Sequence, residues 1–188
     1  MRKIGNIKGS SVNLTKQFLT ENFGPEAVKK IVAEMKTPNK EIFLRTIFPM
    51  EWLPEIEMIH FLIQANKIFS KKDYDLSRQI GYYIAKKGIP IFYTVFIRNK
   101  DLNDVLKSAP RFWRQIHDNG HLEVVNAGPK SATVRIINKV FPHKAFCETM
   151  IGYFQAISEM IGLRGVSIKE IQCAAEGGRF CEYAINWK

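Results

Sequence analysis

Glu170-Ile171-Gln172-Cys173-Ala174-Ala175-Glu176-Gly177-Gly178-Arg179-Phe180-Cys181 is a glycine turn between two strand-like runs, with a cysteine on each side of it. If the loop is Glu176 to Gly178, residue 173 faces residue 181 across the hairpin, and their Cβ atoms lie roughly 4.5–5.5 Å apart. Strand alternation puts Ile171, Cys173, Ala175, Cys181, Tyr183, Ile185 and Trp187 on one apolar face and Gln172, Glu182 and Asn186 on the other. The two thiols are therefore expected to look inward. The third cysteine, Cys147, sits in Phe146-Cys147-Glu148-Thr149-Met150-Ile151-Gly152-Tyr153-Phe154, whose apolar residues recur at helical spacing. It reaches the hairpin only through tertiary packing. Three such thiols can form a disulfide, act as small core hydrophobes, or supply most of a thiolate cage for a metal ion.

The compartment bears on this choice. Met1-Arg-Lys-Ile-Gly-Asn-Ile-Lys8 has no apolar stretch of the kind that directs secretion. A cytoplasmic location is expected, where disulfides are rare and cysteine clusters more often hold metal. Spacing alone leaves metal ligands and ordinary core cysteines both open, since free cysteine is among the most buried residue types.

Cys147-Glu-Thr-Met-Ile-Gly-Tyr153, followed by Glu170-Ile-Gln-Cys173 and the glycine turn to Phe180-Cys181-Glu-Tyr183, resembles the end of the domain named after bacteriochlorophyll 4-vinyl reductase. That domain also forms part of the sensor module of phenol- and xylene-responsive transcription activators. The resemblance implies a zinc ion held by Cys147, Glu170, Cys173 and Cys181. Glu170 and Cys173 are an odd number of residues apart, so a bend or bulge is needed to bring both to one face. His143, one helical turn before Cys147, is the rival fourth ligand. Three thiolates and a carboxylate leave zinc no open position, which marks a structural rather than a catalytic site.

Weaker similarity upstream, in Lys8-Gly9-Ser10, Phe23-Gly24-Pro25-Glu26, Trp52-Leu53-Pro54 and Pro110-Arg-Phe-Trp113, is to stand-alone uncharacterised bacterial proteins related to these sensors. By fold the family is related to haem-based nitric oxide sensors and to vesicle-tethering subunits that hold an acyl chain. What this implies is a helical wall closing over an antiparallel sheet with a small-molecule pocket between. The haem version carries a proximal histidine and a Y-x-S-x-R clamp, which Tyr93-Thr-Val-Phe-Ile does not match, so haem is not expected.

The chain has 188 residues, 46% apolar and 12% aromatic, enough for one domain with a substantial core. No run approaches a membrane span. The net charge of +10 comes from scattered basic residues, some in helix last turns such as Lys86-Lys87, and no nucleic-acid-binding motif accompanies it. The N-terminal two thirds reads as helical and residues 121–188 as hairpin, helix, hairpin, which gives an α+β fold. Ser10-Ser11 is expected to cap a first helix, Gly24-Pro25-Glu26 to open a second, and Glu55–Phe69 to form a central buried helix, with a long connection over 37–54. Asp75 and Asp101 are expected to cap further helices, the second bent or restarted at Pro110, and Ile89-Pro90 to open a short one through Phe96. Strands are expected at Leu122–Asn126 and Ala132–Asn138.

There is no nucleophile elbow, P-loop or dinucleotide fingerprint. A role in tetrapyrrole reduction would need a cofactor site, and none is evident. Phe92, Tyr93, Phe96, Phe112, Trp113, Tyr153 and Phe154 are more aromatics than their elements need, and with His117 they suit an apolar, aromatic or acyl ligand. The alternative use of the same stripes is a solid core. The expected function is a zinc-stapled, homodimeric sensor acting through a separate output protein, with an interaction or scaffold role as the other reading.

Overall fold

The computed structural model describes residues 5–89 and 102–188, the side chains of 102 and 103 excepted. Among these residues lie six α-helices and six strands. Strand β1 (Asn6–Lys8) pairs antiparallel with β2 (Trp52–Pro54) and leads straight into α1 (Gly9–Phe23). Helix α2 (Ala27–Glu34) follows, then a 3-10 turn at Lys40–Phe43, α3 (Glu55–Phe69) and α4 (Asp75–Gly88). Helix α5 (Leu102–Ile116) runs through Pro110 without ending there. The hairpin β3 (His121–Ala127) and β4 (Ser131–Ile137), helix α6 (Lys144–Met160), and the hairpin β5 (Ser167–Gln172) and β6 (Cys181–Asn186) complete the chain. The larger sheet is antiparallel, in the order β3-β4-β6-β5. This is an α+β fold.

Helix α3 occupies the span expected of it, and Met58, Ile59, Phe61, Leu62 and Ala65 are buried along it. The first helix starts one residue before Ser10, with Lys8 in an extended conformation and no side-chain cap. The short strand before it already pairs with β2, so entry is fixed by backbone bonds rather than by a cap. The connection over 37–54 likewise hides β2, which has only three residues and no alternation long enough to read. The helix expected after Ile89-Pro90 and the cap at Asp101 lie outside the described residues.

Buried apolar side chains form two clusters. One, built on β1 and α1–α4, includes Val12, Leu19, Ile31, Phe43, Phe61 and Ile80. The other, between the sheet, α5 and α6, includes Trp113, Val134, Phe146, Phe154, Tyr183 and the three cysteines. The crossing of α4 and α6 joins the two halves. Gly81 and Gly152 face it, where a Cβ would overlap the carbonyls of Thr149 and Arg78 respectively, so the backbones touch.

Candidate functional site

Two features stand out, one inside the second cluster and one between the two clusters. The first is the cysteine group. Helix α6 carries Cys147 fully buried onto the β5–β6 hairpin, 3.6 Å from the Sγ of Cys173 and 3.5 Å from that of Cys181. One ligand-type atom from each of Cys147, Glu170, Cys173 and Cys181 lies within 4.8 Å of every other.

The parity problem at Glu170 is solved by a register irregularity. Glu170 pairs with Tyr183 but Gln172 with Glu182, so the ladder slips at Ile171. This corrects the alternation read from the sequence. Ile171, expected inward, is 56% exposed, and Glu170 turns toward the thiols in its place. Ala175, also expected inward, lies exposed in a 3-10 turn over Ala174–Glu176 that ends at Gly177, whose φ of 91° suits glycine. His143 does not join the group. It is the N-cap of α6, where its Nδ1 accepts the N–H of Ala145 at 3.1 Å.

Glu170 Oε2 accepts from Lys144, while its buried Oε1 has no hydrogen-bond partner among the described residues. An orphaned buried carboxylate oxygen facing three thiols is a donor set that could hold a metal ion. The Ala174 N–H points at Cys181 Sγ at 3.4 Å, the contact expected of an amide supporting a thiolate. The hydrogen bond between Cys147 and Cys181 lowers the Cys181 pKa against its burial. That same hydrogen bond, with burial, pushes Cys147 far up, and burial takes Cys173 to about 11. Without a cation the pocket holds protons that a dication would replace.

The second feature is a cavity of about 490 Å³ lying between the two clusters, lined from the first by Ile7, Met58 and Leu62 and from the second by Leu122, Val134 and Met150. Five residues singled out in the sequence, Phe112, Trp113, His117, Tyr153 and Phe154, line it together. Phe92, Tyr93 and Phe96 lie outside the described residues.

At one edge of the cavity sits a polar network that sequence reading did not assemble. Glu55, at the first turn of α3, is 1% exposed and pairs with Lys139, whose side chain is 2% exposed. It also meets His117 Nδ1 at 2.8 Å and accepts from Asn119 Nδ2 at 2.9 Å. Lys139 Nζ lies over the rings of Trp113 and Phe146, 4.9 and 4.4 Å from their centroids. His117 stacks on Trp113 at 4.2 Å. Burial pushes Glu55 up, but the His117 hydrogen bond and the Lys139 charge overcome it and hold the carboxyl at about 2. Burial, then the Lys139 charge, lowers His117 to about 4, so the imidazole is neutral at pH 7. Glu55 comes from α3, His117 and Asn119 from the loop after α5, and Lys139 from the segment after β4, so no local pattern joins them.

A pH dependence follows. When unfolded, His117 takes up a proton near its ordinary value of 6.5, well before the folded state does. Its contribution to stability is complete above pH 6.5 and is lost as pH falls toward 4. Burial and the neighbouring His60 charge lower His143 as well, which gives the same sign. Glu55 extends the loss from about 4.5 down to about 2. The urea midpoint is expected to fall steadily between pH 7 and pH 4.5, and a flat profile there would contradict a neutral buried His117.

No family model and no curated protein matches the chain. Solved structures do. An H-NOX protein from S. oneidensis in the Fe(II) ligation state aligns with a TM-score of 0.74 at 12% identity, over 97% of this chain and 96% of that one. The Fe(II) unliganded H-NOX protein from K. algicida aligns with a TM-score of 0.72 at 14% identity, over 97% of each chain. A T. Tengcongensis H-NOX variant aligns with a TM-score of 0.70 at 14% identity, over 97% of this chain and 98% of that one. Heme is a subject of study in that family. At these identities the likeness is one of fold, and the expected kinship of fold with the haem nitric oxide sensors is shown: the chain has an H-NOX-like fold.

Proposed function

We propose that the protein is a small-molecule-binding sensor domain of the 4-vinyl reductase type, stapled by zinc and taking an apolar, aromatic or acyl ligand in its central cavity. The cavity carries this reading. Its volume of about 490 Å³ falls within the ~300–1,000 Å³ of ordinary ligand sites. A wall of aromatic and aliphatic side chains with a few polar groups at one edge is the composition such sites have. A homodimer signalling through a separate output protein completes the proposal.

The described residues do not fit haem. Among the described residues lining the cavity His117 is the one imidazole, and its Nδ1 is committed to Glu55 while its ring lies flat on Trp113. Arg111 is the one arginine or lysine among them, and it is exposed, so among the described residues the carboxylates of a porphyrin find no clamp. The sequence contains no Y-x-S-x-R.

The zinc would be held by Cys147, Cys173, Cys181 and Glu170, and when bound it would supply a crosslink rather than reactivity. The crosslink matters to the cavity because α6 contributes both Cys147 and the lining residues Met150, Tyr153 and Phe154.

A panel of phenols, alkylbenzenes and fatty acids, followed by tryptophan fluorescence and thermal shift, tests the reading. At least one class is expected to raise the melting temperature of the wild type. Ile157→Trp, which places an indole in the cavity, is expected to abolish that response. No response from any class, with a solid interior in an experimental structure, would leave the interaction role.

A further inference from the structure

Residues 44–51, with Trp52 at the start of β2, form a tip that is firmly held yet presents large apolar side chains to solvent. Phe43 and Ile47 are buried beneath it, at 1% and 4% exposure, whereas Leu44, Phe48, Met50 and Trp52 are 49, 70, 75 and 42% exposed. These four are half of the eight large hydrophobics exposed among the described residues, a concentration rather than the usual scatter. The backbone has little slack. Gly9 N–H donates to Glu51 O and Ser10 N–H to Pro49 O, both at 2.9 Å, and Phe48 N–H donates to Glu51 Oε1 at 2.7 Å. The carbonyl of Phe48 lies where a Cβ on Gly9 would stand, so the loop is seated against the start of α1.

Cations rim this tip. Lys8 Nζ donates to Met50 O at 2.8 Å and lies 3.9 Å from the centroid of the Trp52 ring. Lys16 Nζ donates to Arg45 O at 3.2 Å. Arg45 forks onto Glu51, which neutralises the acid of the loop, while Lys8 and Lys16 are bound to carbonyls and keep their charge unmatched there.

We propose that this loop docks the protein onto an anionic lipid bilayer, with Phe48, Met50 and Leu44 entering the acyl boundary and Lys8 and Lys16 meeting headgroup phosphates. Trp52, an indole under a lysine ammonium, belongs at headgroup level. An apolar tip with a basic rim is the side-chain set a bilayer surface selects, and the net charge of +10 adds longer-range attraction. A rigid tip loses little conformational freedom on insertion. A protein partner would have to supply both a matching socket and carboxylates, whereas an anionic bilayer offers an apolar interior and headgroup phosphates with no matched shape needed.

The test is co-sedimentation of the protein with vesicles of phosphatidylcholine alone and with about 30 mol% phosphatidylserine added. Binding is expected to the anionic vesicles only and to be lost at high salt. The Phe48→Ser/Met50→Ser variant is expected to bind about tenfold or more weakly with an unchanged melting temperature, because both side chains are already in water. Failure of the wild type to sediment with anionic vesicles at low salt overturns the proposal, as does equal binding by the variant. Analytical ultracentrifugation covers the remaining occupant. A wild-type dimer that becomes a monomer in the variant, with no vesicle binding by either, assigns the loop to a second copy of this chain and also overturns the proposal.

Discussion

Removing zinc from the purified protein is expected to lower its melting temperature by about 10–20 °C. Zinc-finger peptides gain an apparent ~10–16 kcal/mol from a structural ion, but they have almost no core of their own. Here two apolar clusters remain when the ion leaves, so a loss of about 5 kcal/mol is the appropriate scale, at roughly 2–4 °C per kcal/mol for a chain of this size. Metal analysis should find about one zinc per chain. Cys147→Ser should reproduce the loss, since this thiol is fully buried at the junction of α6 with the hairpin. Glu170→Gln should weaken zinc retention with a smaller fall in melting temperature. His143→Ala should leave zinc in place and cost only its cap, about 1 kcal/mol. Zinc far below stoichiometric, or Cys147→Ser melting like the wild type, would show the three cysteines to be ordinary core residues.

The parts of this site legible in sequence are those fixed by local geometry. A hairpin symmetric about Gly177 brings residues 173 and 181 together whatever the rest of the chain does, and Gln172 opposite Glu182 is that same register. The slip at Ile171 was legible only as a requirement. Two donors three residues apart on a strand cannot share a face without a bulge, but nothing in Glu170-Ile171-Gln172 says which residue is expelled. The cavity was legible as a surplus of aromatics on α5 and α6, yet helical spacing cannot tell a lined space from a filled one. The Glu55 network was not legible at all. Glu55 reads as the acid commonly found in a helix first turn and Lys139 as a loop lysine, while His117 reads as a polar group beside the pocket aromatics rather than as a partner of either. Their burial is decided by the packing of β1, α5 and the segment after β4, through bridges such as Ile7 with His117 and the bonds from Asn6 to Asp118.

That network gives the other large effect. Glu55→Gln keeps the shape of the side chain at the start of α3 but removes the negative charge facing Lys139 and turns one of its two accepting oxygens into a donor. Burial already disfavours the Lys139 ammonium, and the Glu55 carboxylate is the largest influence opposing it. Breaking a buried pair from one side typically costs ~3–5 kcal/mol because the surviving charge is stranded. Glu55→Gln should therefore lower the melting temperature by about 6–20 °C. Lys139 could escape part of this by releasing its proton, which would make the variant recover stability as pH rises, whereas the wild type should be level across neutral pH. The double replacement Glu55→Gln with Lys139→Met removes the stranded charge and should be more stable than Glu55→Gln alone by at least about 2 kcal/mol, the signature of direct coupling in a double-mutant cycle. If the two changes simply add, Glu55 and Lys139 do not depend on one another, and the edge of the cavity is held by the Asn119 and His117 bonds instead.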